Sequence, residues 1–201
     1  MSPGRIMVFL KAPRPGWVKT RIAASLDDDA AAAICRVLMD RTVAALAGFD
    51  RVQLRVDPDD AVKDVGRWCR VGWEVCPQGP GDFGARLARG FREAFEAGSA
   101  WVVAVGADCP GLEGEDLNQA MSALDHEDLV LGPAEDGGCW LIGMRASHPS
   151  VFEGVPWNSS QAFEVGCGRA QALGWKVRTL RRLAAVDTLA DWRQWLRTQP
   201  I

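Results

Sequence analysis

The chain has 201 residues, 48% of them hydrophobic and 24% charged, with a formal net charge of −3. That length fits one globular domain over residues 1–201 with a core of its own, and the acidic balance argues against a general nucleic-acid binder, which carries a broad basic face. Its six cysteines show no C-x-x-C spacing, which supports neither a zinc site nor a redox dithiol, and no apolar run has the length of a membrane span or the form of a secretory leader, so a cytoplasmic protein with no membrane partner is expected.

In chain order, Ile6 to Leu10 is an unbroken apolar run, the pattern of a strand buried on both faces. It ends in KAPRPGWVKTR (11–21), where Pro13, Pro15 and Gly16 exclude both strand and helix, and where Lys11, Arg14, Lys19 and Arg21 put four cations within eleven residues. A Walker A loop is excluded, because Val18 precedes Lys19-Thr20 where that motif needs glycine. A basic loop of this kind holds phosphate at the carboxyl edge of a sheet, or is simply a solvated surface.

Residues 27–48 read as a helix opened by an Asp triplet and closed by Gly48, with Ile34, Val37, Leu38 and Leu46 on its apolar face. Arg51 to Val56 alternates as a second strand, 59–69 reads as a short helix and Gly72 to Cys76 as a third strand. The turn at Gly79, Gly81 and Gly84 leads into a helix whose Phe83, Leu87, Phe91 and Phe95 repeat every four residues and face the core. Trp101 to Gly106 is a buried strand running into Ala107-Asp108-Cys109-Pro110, followed by a helix carrying Leu117, Ala120, Met121 and Leu124. A strand from Asp128 to Leu131, the turn GPAEDGG (132–138) and the return strand CWLIGM (139–144) form a long hairpin, which places one antiparallel strand in an otherwise parallel sheet. A helix at 161–173, a strand from Trp175 to Leu180 and a capped helix at 186–196 follow, Thr188 and Asp191 having capping-box spacing. Strands alternating with helices predict a three-layer α/β/α, Rossmann-like domain.

In such a sheet, loops leaving the carboxyl ends of strands open on one edge. The basic loop, GADCP and PAEDGG then meet, bringing cations together with Asp108, Glu135 and Asp136. Carboxylates beside a polyphosphate need a divalent cation between them, and oxygen ligands suit Mg²⁺ or Mn²⁺. The chemistry this favours is attack on a nucleotide-activated substrate, with metal and cations stabilising the departing phosphate. Each acid also has a structural reading: Asp108 begins a turn, Asp136 belongs to a hairpin turn, and Asp187 caps the last helix.

The segments FLKAPRPGWVKTR (9–21), QGPGDFGARL (78–87), GADCPGL (106–112), LGPAEDGGCWLIGM (131–144), VPWNSS (155–160) and VDTLADW (186–192) fall in the order of a known family and cover most of the chain. With them the sequence resembles the bacterial DUF2064 family, the radical-SAM/selenodomain-associated transferase 1 group of the GT-A-like nucleotide-diphospho-sugar transferase superfamily. The resemblance implies a GT-A fold with Lys11, Pro13, Gly16, Lys19 and Arg21 in the nucleotide-phosphate loop, Gln78 and Gly84 in the segment facing the nucleobase, Asp108 as metal acid and Asp187 as a second one. Where the family usually has an aromatic pair after the double glycine, this chain has Cys139-Trp140.

The expected function is a metal-dependent transferase acting on a nucleotide or nucleotide sugar and a small-molecule acceptor, as a monomer or a homo-oligomer. Glycosyl transfer is the first reading, because Glu135 and Asp136 beside Trp140 would offer acceptors and an apolar face to a sugar ring, one of the two acids serving as general base. The alternatives are a nucleotidylyltransferase of the guanylyltransferase kind, expelling pyrophosphate, and a nucleotide-binding regulator without chemistry.

Overall fold

A computed structural model describes residues 3–199. Seven strands form one sheet in the order β3-β2-β1-β4-β6-β5-β7. They are β1 (Arg5–Lys11), β2 (Val52–Asp57), β3 (Glu74–Pro77), β4 (Val102–Gly106), β5 (Leu129–Pro133), β6 (Cys139–Met144) and β7 (Val177–Thr179). β1, β2, β3 and β4 pair in parallel, as do β5 and β7, while β6 runs antiparallel to both of its neighbours, β4 and β5. The mostly parallel sheet with one antiparallel strand expected from the sequence is therefore observed.

The sheet is covered on both faces, which is why its central strands are apolar throughout. Ile6, Val8 and Leu10 of β1 join one core with Met39 and Val43 of α2 (Asp28–Ala45) and Leu117 and Ala120 of α4 (Gly114–Ala123). Met7 and Phe9 face the other way, onto Leu87 and Phe91 of α3 (Phe83–Glu96) and Ala162 and Ala170 of α5 (Ala162–Ala172). Each fully buried Val, Leu, Ile, Phe or Met side chain among these contributes about 1.5–3 kcal/mol relative to an exposed one. A short helix, α1 (Thr20–Ala23), follows the β1 loop, and the terminal helix α6 (Leu189–Arg197) packs Trp192 and Trp195 against a small core of Ile22, Ile34, Leu38 and Val186. No helix among the described residues is long and apolar enough to cross a membrane.

Two side chains depart from what pattern alone suggests. Arg55, in the alternating strand β2, is among the largest fully buried side chains. It lies beneath α3, donating to Gln53 (2.8 Å) and Glu93 (2.6 Å). Gly90 makes room for it: a Cβ there would stand 3.2 Å from the Arg55 Nε and 3.0 Å from the Phe9 ring. Val37, assigned to the apolar face of α2, is exposed.

Candidate functional site

The carboxyl ends of β1, β2, β3 and β4 open on one edge, and the β1 loop shapes its centre. Pro15 and Gly16 form the middle of a turn closed by the Trp17 amide donating to the Arg14 carbonyl (3.1 Å). Gly16 has φ +78°, the value the third residue of a type II turn requires. Pro13 is buried at the loop base, whereas Lys11, Trp17 and Arg21 are exposed. Arg14 does not face this edge. It donates to Asp64 (2.6 Å) and Asp60 (3.1 Å) in the 3₁₀ segment Asp59–Trp68, so the loop offers Lys11, Lys19 and Arg21 rather than four cations.

Lys19 is the node of the site. It is the one non-glycine residue with positive φ among those described, at φ 47° and ψ 46°, a left-handed conformation that L residues other than Asn and Asp seldom adopt. Its buried ammonium donates to Asp108 Oδ1 and, at 3.1 Å, to Asp187 Oδ1. Burial alone would lower the Lys19 pKa, but the charges of the two carboxylates and the hydrogen bonds to them outweigh it, so the ammonium is raised above its ordinary value. The Asp108 and Asp187 side chains are themselves half exposed.

Asp108 follows β4 directly. Asp187 arrives from 79 residues later by a path that the sequence pattern does not show. Beyond β7 the chain continues beside β5: Leu180 donates to the Leu131 carbonyl (2.9 Å) and Leu183 to the Pro133 carbonyl (3.1 Å). Arg181 fastens this stretch to α4 through the buried Asp116 (2.5 and 2.8 Å). The Val186 amide then donates to the Asp108 carbonyl at 2.9 Å, which fixes the two acids side by side. Thr188, not Asp187, caps α6, in the capping box with Asp191. The cap reading of Asp187 is thus replaced by a pairing with Lys19.

The remaining candidates divide. In the β5–β6 turn, Asp136 accepts from the Gly138 amide (2.9 Å), the turn role anticipated for it, and Glu135 beside it is exposed with no side-chain hydrogen bond among the described residues. Gln78 is buried, and its side-chain amide donates to the Leu10 (2.9 Å) and Arg55 (3.0 Å) carbonyls. The side chain therefore locks the β3 loop to β1 and β2. Gly84 lies in the first turn of α3, where a Cβ would stand 3.2 Å from Trp157. Trp140 is buried and donates to the Arg181 carbonyl (3.2 Å), so the apolar platform expected beside Glu135 and Asp136 is absent from the edge.

Two features were given no role by the sequence, although their residues lie partly in its QGPGDFGARL and VPWNSS segments. Arg86, a polar position on an amphipathic helix, reaches back from α3 to Asp57 (3.0 Å) and the Gly81 carbonyl (2.9 Å), tying the glycine-rich turn to the end of β2. A cleft of about 650 Å³ lies between the start of α3 and residues 149–159, floored by Phe83 and Phe152 with Asn158 and Ser159 at its rim. Ser159 and Ser160 lie against Gly137 and Gly138, so the cleft adjoins the hairpin acids. All six cysteines, each among the described residues, are free, and burial pushes the Cys35 thiol up to about 11 and the Cys139 thiol up to about 12.

A family model described as "Uncharacterized protein conserved in bacteria (DUF2064)" matches residues 39–159, more than half of the chain. The chain belongs to this family. Among solved structures it is similar to a proposed nucleotide-diphospho-sugar transferase from Desulfovibrio desulfuricans G20, with 30% identity and a TM-score of 0.90 over 98% of this chain and 88% of that one. The fold is shared with a CMP:2-keto-3-deoxy-manno-octonic acid synthetase complexed with CTP (12% identity, TM-score 0.61, covering 96% and 97% of the two chains). It is also shared with Rv0371C of Mycobacterium tuberculosis H37Rv in complex with manganese (18% identity, TM-score 0.51, covering 98% and 100%). No curated protein matches. The GT-A-like fold implied by the sequence resemblance is thus the fold observed.

Proposed function

We propose that this DUF2064 protein is a metal-dependent transferase that takes a nucleotide-activated donor and passes its sugar to a small-molecule acceptor. One observation carries the reading: Asp108 and Asp187, from separate loops, converge on a single cation at the basic β1 loop. The donor set fits Mg²⁺ or Mn²⁺. Two carboxylates with open outer faces leave room for phosphate oxygens and water, as small hard cations in nucleotide sites require, and among the described residues no third acidic, His or Cys ligand joins them. A bound divalent ion would supply Lewis-acid charge to the departing phosphates. Lys11, Lys19 and Arg21 would hold the phosphates by charge-assisted hydrogen bonds. The cleft beside the hairpin would receive the acceptor, and Glu135, unencumbered by hydrogen bonds, is the better placed of the two acids to take its proton. The sugar donor is supported by the description of the Desulfovibrio relative.

Nucleotidyl transfer is the second reading, favoured by the burial of Trp140, which removes the aromatic face that spoke for a sugar ring. The two differ in the bond broken. Incubation with Mn²⁺ and a panel of nucleotide sugars, and separately with the four nucleoside triphosphates, should release a nucleoside diphosphate from one sugar donor by slow hydrolysis, read by chromatography. Pyrophosphate from one triphosphate, with every nucleotide sugar intact, would make the second reading the correct one.

A further inference from the structure

The Lys19 ammonium stands where a cation shared by Asp108 and Asp187 would stand. Its side chain is only 8% exposed, its Nζ contacts one oxygen of each acid, and the acids themselves are 55% and 46% exposed. A divalent ion bound to those same oxygens would be in direct contact with a like charge, and repulsion at that separation is strong where solvent screening is weak. The Lys19 ammonium and a metal on those two oxygens therefore exclude one another. The side chain also belongs to the loop proposed to hold phosphate, so a diphosphate is the ligand that offers the displaced ammonium a new partner.

From this geometry we infer that Lys19 is a place-holding cation that couples metal binding to nucleotide binding: it neutralises Asp108 and Asp187 when no metal is bound and moves onto the phosphates when both ligands enter. The inference rests on the reading of Asp108 and Asp187 as metal acids and of the β1 loop as the phosphate loop. Its consequence is reciprocal. Nucleoside diphosphate strengthens metal binding and metal strengthens nucleotide binding by the same factor, while metal alone binds weakly because it must evict Lys19.

The test is Mn²⁺ binding followed by the electron paramagnetic resonance of free Mn²⁺, for the wild type and Lys19→Met, alone and with UDP, GDP, CDP or ADP. Methionine keeps the length of the buried stem and removes the charge. Mn²⁺ alone should bind Lys19→Met at least about 10-fold more tightly than wild type, and the nucleotide should tighten Mn²⁺ binding less in the variant than in wild type. Equal affinities of the two proteins for Mn²⁺ alone, with nucleotide-dependent Mn²⁺ binding intact, would overturn the place-holder role and leave the proposed function standing. Failure of the wild type to bind Mn²⁺ with any nucleotide would overturn both. A measurement on the wild type does not depend on the variant folding: the Lys19 Cε resonance in ¹³C-lysine-labelled protein should shift when Mg²⁺ and the diphosphate are added together. An unmoved resonance in the bound complex would equally sink the exchange.

Discussion

Asp108→Asn should keep its fold and lose metal-dependent nucleotide binding by on the order of 100-fold, which is ~2.8 kcal/mol at 1.4 kcal/mol per decade. The carboxylate is half exposed and no core packing depends on it, and Asp187 still pairs with the buried Lys19 ammonium, so the fold should be kept at a modest loss of stability. Its backbone carbonyl, which accepts from Val186, is untouched by the substitution, and Asp187 therefore stays in place. What is removed is one of the two negative ligands and with it half of the protein's charge toward the ion. Transfer activity should fall further than binding, by roughly 10²–10³, because Lewis-acid stabilisation of the leaving phosphate is worth several kcal/mol in the transition state. Calorimetry with nucleotide in the presence and absence of Mn²⁺ checks this. Unchanged affinity with unchanged metal dependence would return Asp108 to the role of a turn residue.

The second large effect belongs to the basic loop. Lys19→Ala and Arg21→Ala should each weaken nucleoside diphosphate binding in the presence of Mn²⁺ by about 1.5–3 kcal/mol, the range for hydrogen bonds to charged groups. The two positions start from opposite environments. Lys19 is buried between two acids, and Arg21 is exposed. A common loss at both would therefore reflect the bound phosphate rather than the free protein. Isolated exposed charges contribute little, so a solvated loop would give almost no change at Arg21. Binding of the nucleoside without phosphates, measured in parallel, should be unaffected. Equal losses for nucleoside and diphosphate would show that the substitutions disturb the loop rather than remove phosphate contacts.

Much of this arrangement is legible in the sequence because it is carried by local pattern. The buried β1 run and the Pro-Gly loop after it mark a strand and a phosphate-type turn, and Asp108 declares itself as an acid at the end of a buried strand, where it needs a partner. What is not legible depends on contacts far apart in the chain. Arg14 has the same composition signature as Lys19, and only the fold shows it turned toward Asp60 and Asp64. Arg55 breaks the alternation of β2 because a glycine on α3, 35 residues later, leaves space for it. Trp140 lies in a strand enclosed by both layers, which no count of neighbouring acids reveals. Asp187 was suggested only by family resemblance, since its approach to Asp108 depends on an irregular stretch held by Arg181, Leu183 and Val186, which carries no periodic signal.

The most direct measurement is a crystal structure with Mn²⁺ and whichever nucleoside diphosphate most raises the melting temperature, recorded at the manganese edge. The anomalous peak should lie between the Asp108 and Asp187 carboxylates, about 2.1 Å from an oxygen of each, as for a small hard divalent cation, with the Lys19 ammonium moved onto a phosphate oxygen. A nucleotide bound on the β1 loop with manganese elsewhere, or with Lys19 still paired to both acids, would contradict the account.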